Sequence, residues 1–300
     1  MIEIRKLPAS AGAEWLLAGV ALLRRAPLAL GRLGATWGLV MLLVVFIGLL
    51  HPTLGMLSQL LMGMAGPVLF GGLVWAVREV DQGRSAQPAH LLQGLRDRRL
   101  PNLLVALLPQ AVVGLTLSVL AVVVITPSGF EQMTTVMTQL NELSQSNAQP
   151  DPAQVEQLVA TLPAMRILLW LLLVALGFVV VGLVLFVFVP QVMFDRRNGL
   201  EAIRDGLRAC LHNLPALLVF FVLAFIVMFM LSFALAVVIK LLQMMVGATL
   251  AALIAQLLAT ALVTPVLAGA VYAAWKQMFV HAEDATPVVP PPPPSDVFVA

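Results

Sequence analysis

Long apolar stretches alternate along this chain with short segments that carry nearly all of its charge. A bilayer core of about 30 Å needs roughly 20 residues of helix at 1.5 Å each, so such stretches are typical of membrane-spanning helices. The pattern predicts an all-α integral membrane protein with six spans, at about Leu33–Leu50, Leu54–Val77, Asn102–Ile125, Ile167–Phe194, Pro215–Ile239 and Gly247–Trp275.

Three shorter segments, each too short to span, precede successive pairs of spans: Ser10–Leu23, Pro88–Leu95 and Gly199–Leu214. The last is the clearest amphipathic helix, because its polar face carries Glu201, Arg204, Asp205, Arg208 and His212 while its other face carries Leu200, Ile203, Leu207, Leu211 and Leu214. We expect all three to lie at the membrane interface, with Trp15 at the level of the lipid headgroups.

This order predicts an internal repeat of interfacial helix, outgoing span and returning span, in units of about 10–80, 85–197 and 199–279. The returning spans contain Pro67, Pro190 and Pro265. The stretches that begin at Pro67 and Pro265 share Pro, Val, Leu, Gly and Ala at matching positions. Biased composition is the alternative explanation, since these residue types are abundant here.

One polar insertion, Thr126–Pro163, separates the third and fourth spans. It contains four acidic residues and no Lys or Arg. A capping box at Ser128–Glu131 and a proline after Asp151 predict a helical hairpin on the outer surface. A structural cap and a lid over a binding site both fit this pattern.

The distribution of cations predicts the topology. All Lys and Arg residues except Arg166 and Lys240 lie before the first span, after the sixth, or in the segments after the second and fourth spans. The positive-inside rule then places both termini in the cytoplasm. With a hydrophobic fraction of 61% and a net charge of +2, the chain fits the lipid bilayer as its surroundings, and nucleic-acid binding is not expected.

Chemical motifs are scarce. No ionisable residue lies in the middle of a predicted span, and the four histidines are scattered, so we expect no catalytic, metal or cofactor site. The single cysteine, Cys210, excludes an intramolecular disulfide. Its neighbours Arg208 and His212 would lower its pKa if they faced it, whereas a plain packing role is the alternative.

Uncharged polar residues and prolines are the candidates for a site between the helices. Proline frees a backbone carbonyl one turn earlier, and such carbonyls bind ligands in some transporters. Glutamine equally serves as a hydrogen-bonding contact between helices. The candidate residues are Pro67, Gln110, Pro190, Gln191, Gln256 and Pro265.

A second candidate set consists of arginines on or beside the interfacial helices. They are placed to hold anionic lipid headgroups, or they serve only to set the topology. These residues are Arg24, Arg25, Arg96, Arg98, Arg99, Arg204 and Arg208. Beyond the transmembrane domain of residues 1–285, the proline-rich tail 286–300 is expected to be a disordered cytoplasmic arm.

Two family resemblances bear on the identity of the chain. Mitochondrial carriers also combine six spans in three repeats, but no acidic residue follows the prolines here at their spacing. The chain resembles uncharacterised six-span inner-membrane proteins of bacteria, through Arg5-Lys6-Leu7-Pro8-Ala9, Gly66-Pro67…Gly71, Arg78 and Asp81-Gln82-Gly83. This resemblance implies a bacterial inner-membrane location and no known activity.

Two functional hypotheses follow. The first is a non-enzymatic membrane protein that transports or holds a small molecule or lipid between its hairpins. The second is a scaffold or assembly factor that recruits a protein partner, of unknown identity, through the interfacial helices and the tail.

Overall fold

The computed structural model describes residues 3–145 and 152–279, and these are almost entirely helical. The predicted tail and residue Asp151 lie outside the described residues. The helices are α1 (Ala11–Arg25), α2 (Pro27–Leu50), α3 (Pro52–Asp81), α4 (Gln93–Arg96), α5 (Leu100–Leu104), α6 (Leu107–Gln145), α7 (Pro152–Ala160), α8 (Ala164–Leu185), α9 (Phe188–Met193), α10 (Gly199–His212), α11 (Leu214–Val246) and α12 (Ala248–Met278).

Six helical stretches within the described residues are long and apolar enough to cross a membrane, which confirms the predicted number of long apolar helices. They support a multi-pass membrane protein. Proline occupies one of the first two positions of α2, α3 and α11, where its missing N–H leaves no intrahelical bond unmade. The stretches are Pro27–Leu50, Pro52–Asp81, Leu100–Leu143, Ala164–Met193, Leu214–Val246 and Ala248–Met278.

The prolines inside the spans have two different effects. The helices that contain Pro67 and Pro265 remain continuous. In contrast, the third and fourth spans are each interrupted one turn before a proline, at Val105 before Pro109 and at Phe186 before Pro190. A proline ring meets the carbonyl of residue i−4 in a regular helix, and the interruptions fall at that position. The apolar pattern alone predicts a single helix for each of these two spans.

Burial is concentrated at one end of the bundle. We call this the packed end; it comprises α1, α9, α10, the first turns of α2 and α11, and the C-terminal halves of α3 and α12. At the opposite end, side chains such as Met244 and Met245 are almost fully exposed. Along the length of the bundle, α2 packs on α3, α6 on α8, and α11 on α12.

Helix α1 is buried in the packed end along one face, which contacts α11 and α12, and its other face is exposed. A Cβ on Gly12 would lie 2.0 Å from the carbonyl oxygen of Ala216, and one on Gly19 would lie 2.2 Å from that of Val266. Trp15 is fully buried, and its indole Nε1 donates a hydrogen bond of 2.8 Å to Gln277 Oε1. The ring of Trp15 is therefore enclosed by protein and does not face the surroundings of the bundle.

The segment before α1 is held at the same end of the bundle as the end of α12. Ile4 and Phe279 form an isolated antiparallel bridge. Asn213, fully buried, accepts a hydrogen bond of 2.7 Å from the backbone N–H of Leu7 and donates one of 3.0 Å to the carbonyl of Arg5. The described beginning and end of the chain thus meet.

Helix α10 begins at the N-cap Asn198 and packs against α5, α8 and α9. Its packed face consists of small residues, Ala202, Gly206, Ala209 and Cys210, all buried. The predicted apolar row is mostly turned away from the protein: Leu200 is 61% exposed and Leu211 56% exposed, whereas Ile203 and Leu207 are partly buried. Small residues allow close backbone approach, which explains why they rather than the leucines meet the neighbouring helices.

The polar insertion is helical in its described parts, as predicted. Helix α6 continues beyond Ile125 through a kink at Thr126, whose φ of 66° is rare for a residue with a side chain. Arg166 at the start of α8 donates a hydrogen bond of 2.9 Å to Thr126 Oγ1. Within this part of α6, Val136 is buried and Met137 is exposed.

We expect Gly19→Ala to lower the free energy of unfolding by about 1–3 kcal/mol, because the added methyl group would force α1 away from the backbone of α12. Thermal unfolding of the protein in detergent measures the change. The control is Gly114→Ala on α6, where nothing lies within 4 Å of the added Cβ. Equal stability of the two variants would contradict the close contact between α1 and α12.

Candidate functional site

An apolar cleft of about 560 Å³ lies between the α2–α3 pair and the inner parts of α6, α8 and α9. Two of the predicted candidates, Pro67 and Gln110, line it, together with a second glutamine, Gln59. The side chains of Gln59 and Gln110 are exposed, so the cleft is open toward the surroundings of the bundle. Its walls consist of Trp37, Met41, Val44, Met62, Gly63, Gly66, Phe70, Ala106, Leu185, Phe188 and Val189.

The position of Pro67 gives the cleft a backbone feature as well. Pro67 has no N–H, so the carbonyl of Gly63, four residues earlier, lacks its usual helical partner. Gly63 and Gly66 both line the cleft, and nothing lies within 4 Å of a Cβ added at either residue. This wall of the cleft is therefore open at Gly63 and Gly66, beside the proline.

The other four candidates of this set do not join the cleft. Pro190 and Gln191 are fully enclosed at the packed end, and Pro265 is buried on α12, next to the residue that Gly19 contacts. Gln256 is exposed on α12. The six residues therefore do not line one pocket, and a binding role for these four stays a prediction.

Gln191 is unusual because it is fully buried and neither its amide oxygen nor its amide nitrogen has a hydrogen-bond partner among the described residues. It lies against α10, where a Cβ on Gly206 would be 3.1 Å from Gln191 Nε2. Asn213, the other fully buried amide of the described residues, makes three hydrogen bonds, to Leu7, Arg5 and Ala209. The buried amide of Gln191 therefore lowers the stability of the fold, whereas the hydrogen bonds of Asn213 raise it.

The seven candidate arginines are spread over several surfaces. Arg24, Arg96, Arg98, Arg204 and Arg208 are exposed, and Arg99 is partly buried. Arg25 differs from them because it lines a second pocket, where its Nη1 lies 3.6 Å from Asp81 Oδ1. The structure therefore groups Arg25 with residues distant in the sequence and does not gather the seven into one cluster.

Three residues of this second pocket, Asp81, Tyr272 and Lys276, were missed as candidates in the sequence. Tyr272 and Lys276 are four residues apart on α12 and hence on one face, which is a signal that the sequence does contain. Asp81 carried no such signal, because it ends α3 and its partners lie on α1 and α12.

Cys210 is fully buried in the packed face of α10. Burial raises the pKa of its thiol to about 12. The alternative in which Arg208 and His212 activate it is wrong, because both side chains are exposed on the other side of the helix. Among the described residues, no group of three His, Cys, Asp or Glu side chains is placed to hold a metal ion.

We expect Gln191→Met to raise the free energy of unfolding by about 1–3 kcal/mol, because it removes a buried amide that has no partner. Asn213→Leu should lower it by a similar amount, because it leaves the backbone groups of Leu7 and Arg5 unpaired. Thermal unfolding in detergent measures both. A loss of stability in Gln191→Met would show that the amide has a partner in the folded protein.

Thiol labelling tests the environment of Cys210. At pH 8, a pKa of about 12 leaves a thiolate population about a thousandfold smaller than an ordinary pKa of 9.0 does, so we expect very slow reaction with a maleimide. The control is His212→Cys in a Cys210→Ala background, which places an exposed thiol on the same helix. Comparable labelling rates for the two proteins would contradict the burial of Cys210.

Comparison with known proteins finds no match to this chain among protein-family profiles, curated proteins or solved structures. The resemblance to six-span bacterial inner-membrane proteins therefore stays a prediction.

Proposed function

We propose that this protein is a non-enzymatic membrane protein that holds one lipid or lipid-like molecule in the cleft between the α2–α3 and α6–α8 pairs. The observation that carries the proposal is the cleft itself: it is apolar, open to the side, and formed by helices long enough to span a bilayer. Its volume of about 560 Å³ is within the range of about 300–1,000 Å³ of small-molecule sites.

The lining favours binding over catalysis. None of the residues that line the cleft is ionisable, and its hydrogen-bonding groups include the amides of Gln59 and Gln110 and the indole N–H of Trp37. An acyl chain that enters the cleft from a bilayer exchanges one apolar environment for another, so hydrophobic burial contributes little. Preference for a ligand must then come from shape and from hydrogen bonds donated by the two amides.

The proposed setting is the inner membrane of a bacterium, with the packed end toward the cytoplasm and both termini on that side. The distribution of cations supports this orientation. The bridge between Ile4 and Phe279 independently supports the placement of both ends on one side of the membrane, because it joins the segment before α1 to the end of α12.

Contacts at three equivalent positions support the threefold repeat. Gly19, Gly94 and Gly206 occupy the same place in the three short helical segments before the hairpins. Each lies against the residue that follows the proline of a returning helix: Val266 after Pro265, Val68 after Pro67, and Gln191 after Pro190. The second and third short segments pack on the hairpin that precedes them in the chain. The first, α1, has no preceding hairpin and packs on the third one, α11–α12.

The scaffold hypothesis stays a prediction. Its main element, the proline-rich tail, lies outside the described residues. The exposed leucine row of α10 is better placed to contact lipid, because it runs directly into Leu214 and Leu218 on the outer face of α11.

We expect Gly63→Trp to fill the cleft and weaken phospholipid binding by at least about tenfold, since an overpacked site costs about 1–3 kcal/mol. Native mass spectrometry in detergent, with a titration of phosphatidylethanolamine, measures the bound lipid. Gly114→Trp is the matched control, because it also enters open space but lies outside the cleft. Equal lipid binding by the two variants would exclude the cleft as the site.

A second pair of variants tests the amides. Gln110→Leu should weaken binding of the same lipid by severalfold, because it removes one of the two side-chain amides of the cleft. Gln256→Leu makes the same chemical change at an exposed position outside the cleft and should have no effect.

A further inference from the structure

A second pocket, of about 420 Å³, lies at the packed end between α1, α12 and the end of α3. Its size is also within the range of small-molecule sites. Unlike the cleft, it is lined by charged groups, namely the cations Arg5, Arg25 and Lys276 and the carboxylate of Asp81. The two pockets share no lining residue, so an inference from this one does not rest on the proposed function.

Asp81 organises the charged groups of this pocket. Lys276 Nζ donates a hydrogen bond of 2.9 Å to Asp81 Oδ2, and the hydroxyl of Tyr272 donates one of 3.1 Å to the same oxygen. Arg25 Nη1 lies 3.6 Å from the other oxygen, Oδ1. The carboxylate therefore brings cations from α1 and α12 to one wall of the pocket.

The pocket retains an excess of positive charge, because the two cations Arg25 and Lys276 face one carboxylate. The contact with Asp81 uses one of three ammonium donors of Lys276 and part of the five-donor guanidinium of Arg25. The side chains of Arg25 and Lys276 are 61% and 56% exposed, so their remaining donors are accessible.

Helix dipoles reduce this excess without removing it. Helices α1, α3 and α12 all end near the pocket, and each C-terminus adds partial negative charge. The partly positive N-terminus of α2, at Pro27, follows Arg25 almost directly and opposes the end of α1.

We propose that this pocket binds a phosphate group, with Arg25 and Lys276 as the contact residues and Asp81 as the carboxylate with which the phosphate competes. The guanidinium group of Arg and the ammonium group of Lys are the usual partners of phosphate in proteins. Ala18, Ala21 and Leu22 form an apolar wall beside the cations, which suits a phosphate that carries an acyl-bearing group. A phospholipid headgroup and a soluble phosphate share the chemistry that the site recognises.

The test uses the full-length protein in detergent and native mass spectrometry. We expect wild type to bind phosphatidylglycerol more tightly than diacylglycerol, which has the same acyl chains and no phosphate. Arg25→Gln and Lys276→Gln should each weaken phosphatidylglycerol binding about fivefold. The control Arg32→Gln removes the same charge from an exposed residue outside the pocket and should leave binding unchanged.

Inorganic phosphate distinguishes the two sources. If it competes with phosphatidylglycerol in wild type and binds about fivefold more weakly to Arg25→Gln, the site accepts a soluble phosphate. If it does not compete while the lipid effects hold, the source is the phospholipid. Equal binding of both lipids by wild type, or equal losses in Arg25→Gln and Arg32→Gln, would overturn the proposal.

Two further variants separate binding from a structural role of the ion cluster. Asp81→Asn should bind phosphatidylglycerol about fivefold more tightly, because it removes the competing negative charge. Arg25→Lys should retain most of the wild-type affinity. Circular dichroism and size-exclusion profiles verify that each variant is folded. Weaker binding by folded Asp81→Asn, or a loss in Arg25→Lys as large as in Arg25→Gln, would contradict the proposal.

Discussion

The close backbone contact between α1 and α12 is the interaction on which the rest of the packed end depends. A Cβ on Gly269 would lie 2.8 Å from the Cα of Gly19, so the two helices meet without intervening side chains. Lipid offers no hydrophobic force between spanning helices, and such close packing of small residues takes its place. The Ile4–Phe279 bridge and the hydrogen bonds of Asn213 extend this contact to the segment before α1. The two ends of the described chain are thereby joined.

The ends of α3, α9 and α12 come together beside this contact through aromatic and ionic groups. Phe194 lies between α3 and α12, with its ring 5.0 Å from that of Trp275 and the guanidinium of Arg78 4.8 Å from its centre. Trp275 Nε1 donates a hydrogen bond of 2.8 Å to Asp195 Oδ2. Asp81 lies at the end of α3 and Asp195 lies just after α9. Both carboxylates accept hydrogen bonds from side chains of α12. These contacts hold the ends of α3, α9 and α12 together at the packed end.

The cleft results from the contrast between the closed end and the rest of the bundle. Helix α8 packs on α6 and, at the packed end, on α9 and α10, whereas α2 and α3 pack on each other and on α12. The two groups of helices therefore diverge away from the packed end, and Gly63 and Gly66 leave space between them. Of the candidates named from the sequence, Pro67 and Gln110 meet in this space. Gln191 and Gln256 are likewise glutamines within apolar spans, but Gln191 lies in a packed interior and Gln256 lies on an exposed face.

The sequence by itself determined the number of long apolar helices, the break at His51-Pro52 and the helical nature of the polar insertion, because bilayer thickness and proline geometry act locally. Only the tertiary structure decided which face of each helix packs. Apolar residues of a spanning helix contact lipid and protein alike, so hydrophobicity does not mark the protein core, and α10 packs through Ala202 and Gly206 instead of its leucines. The burial of Trp15 and the joining of Arg25, Asp81 and Lys276 depend on contacts between distant segments, which no local pattern records.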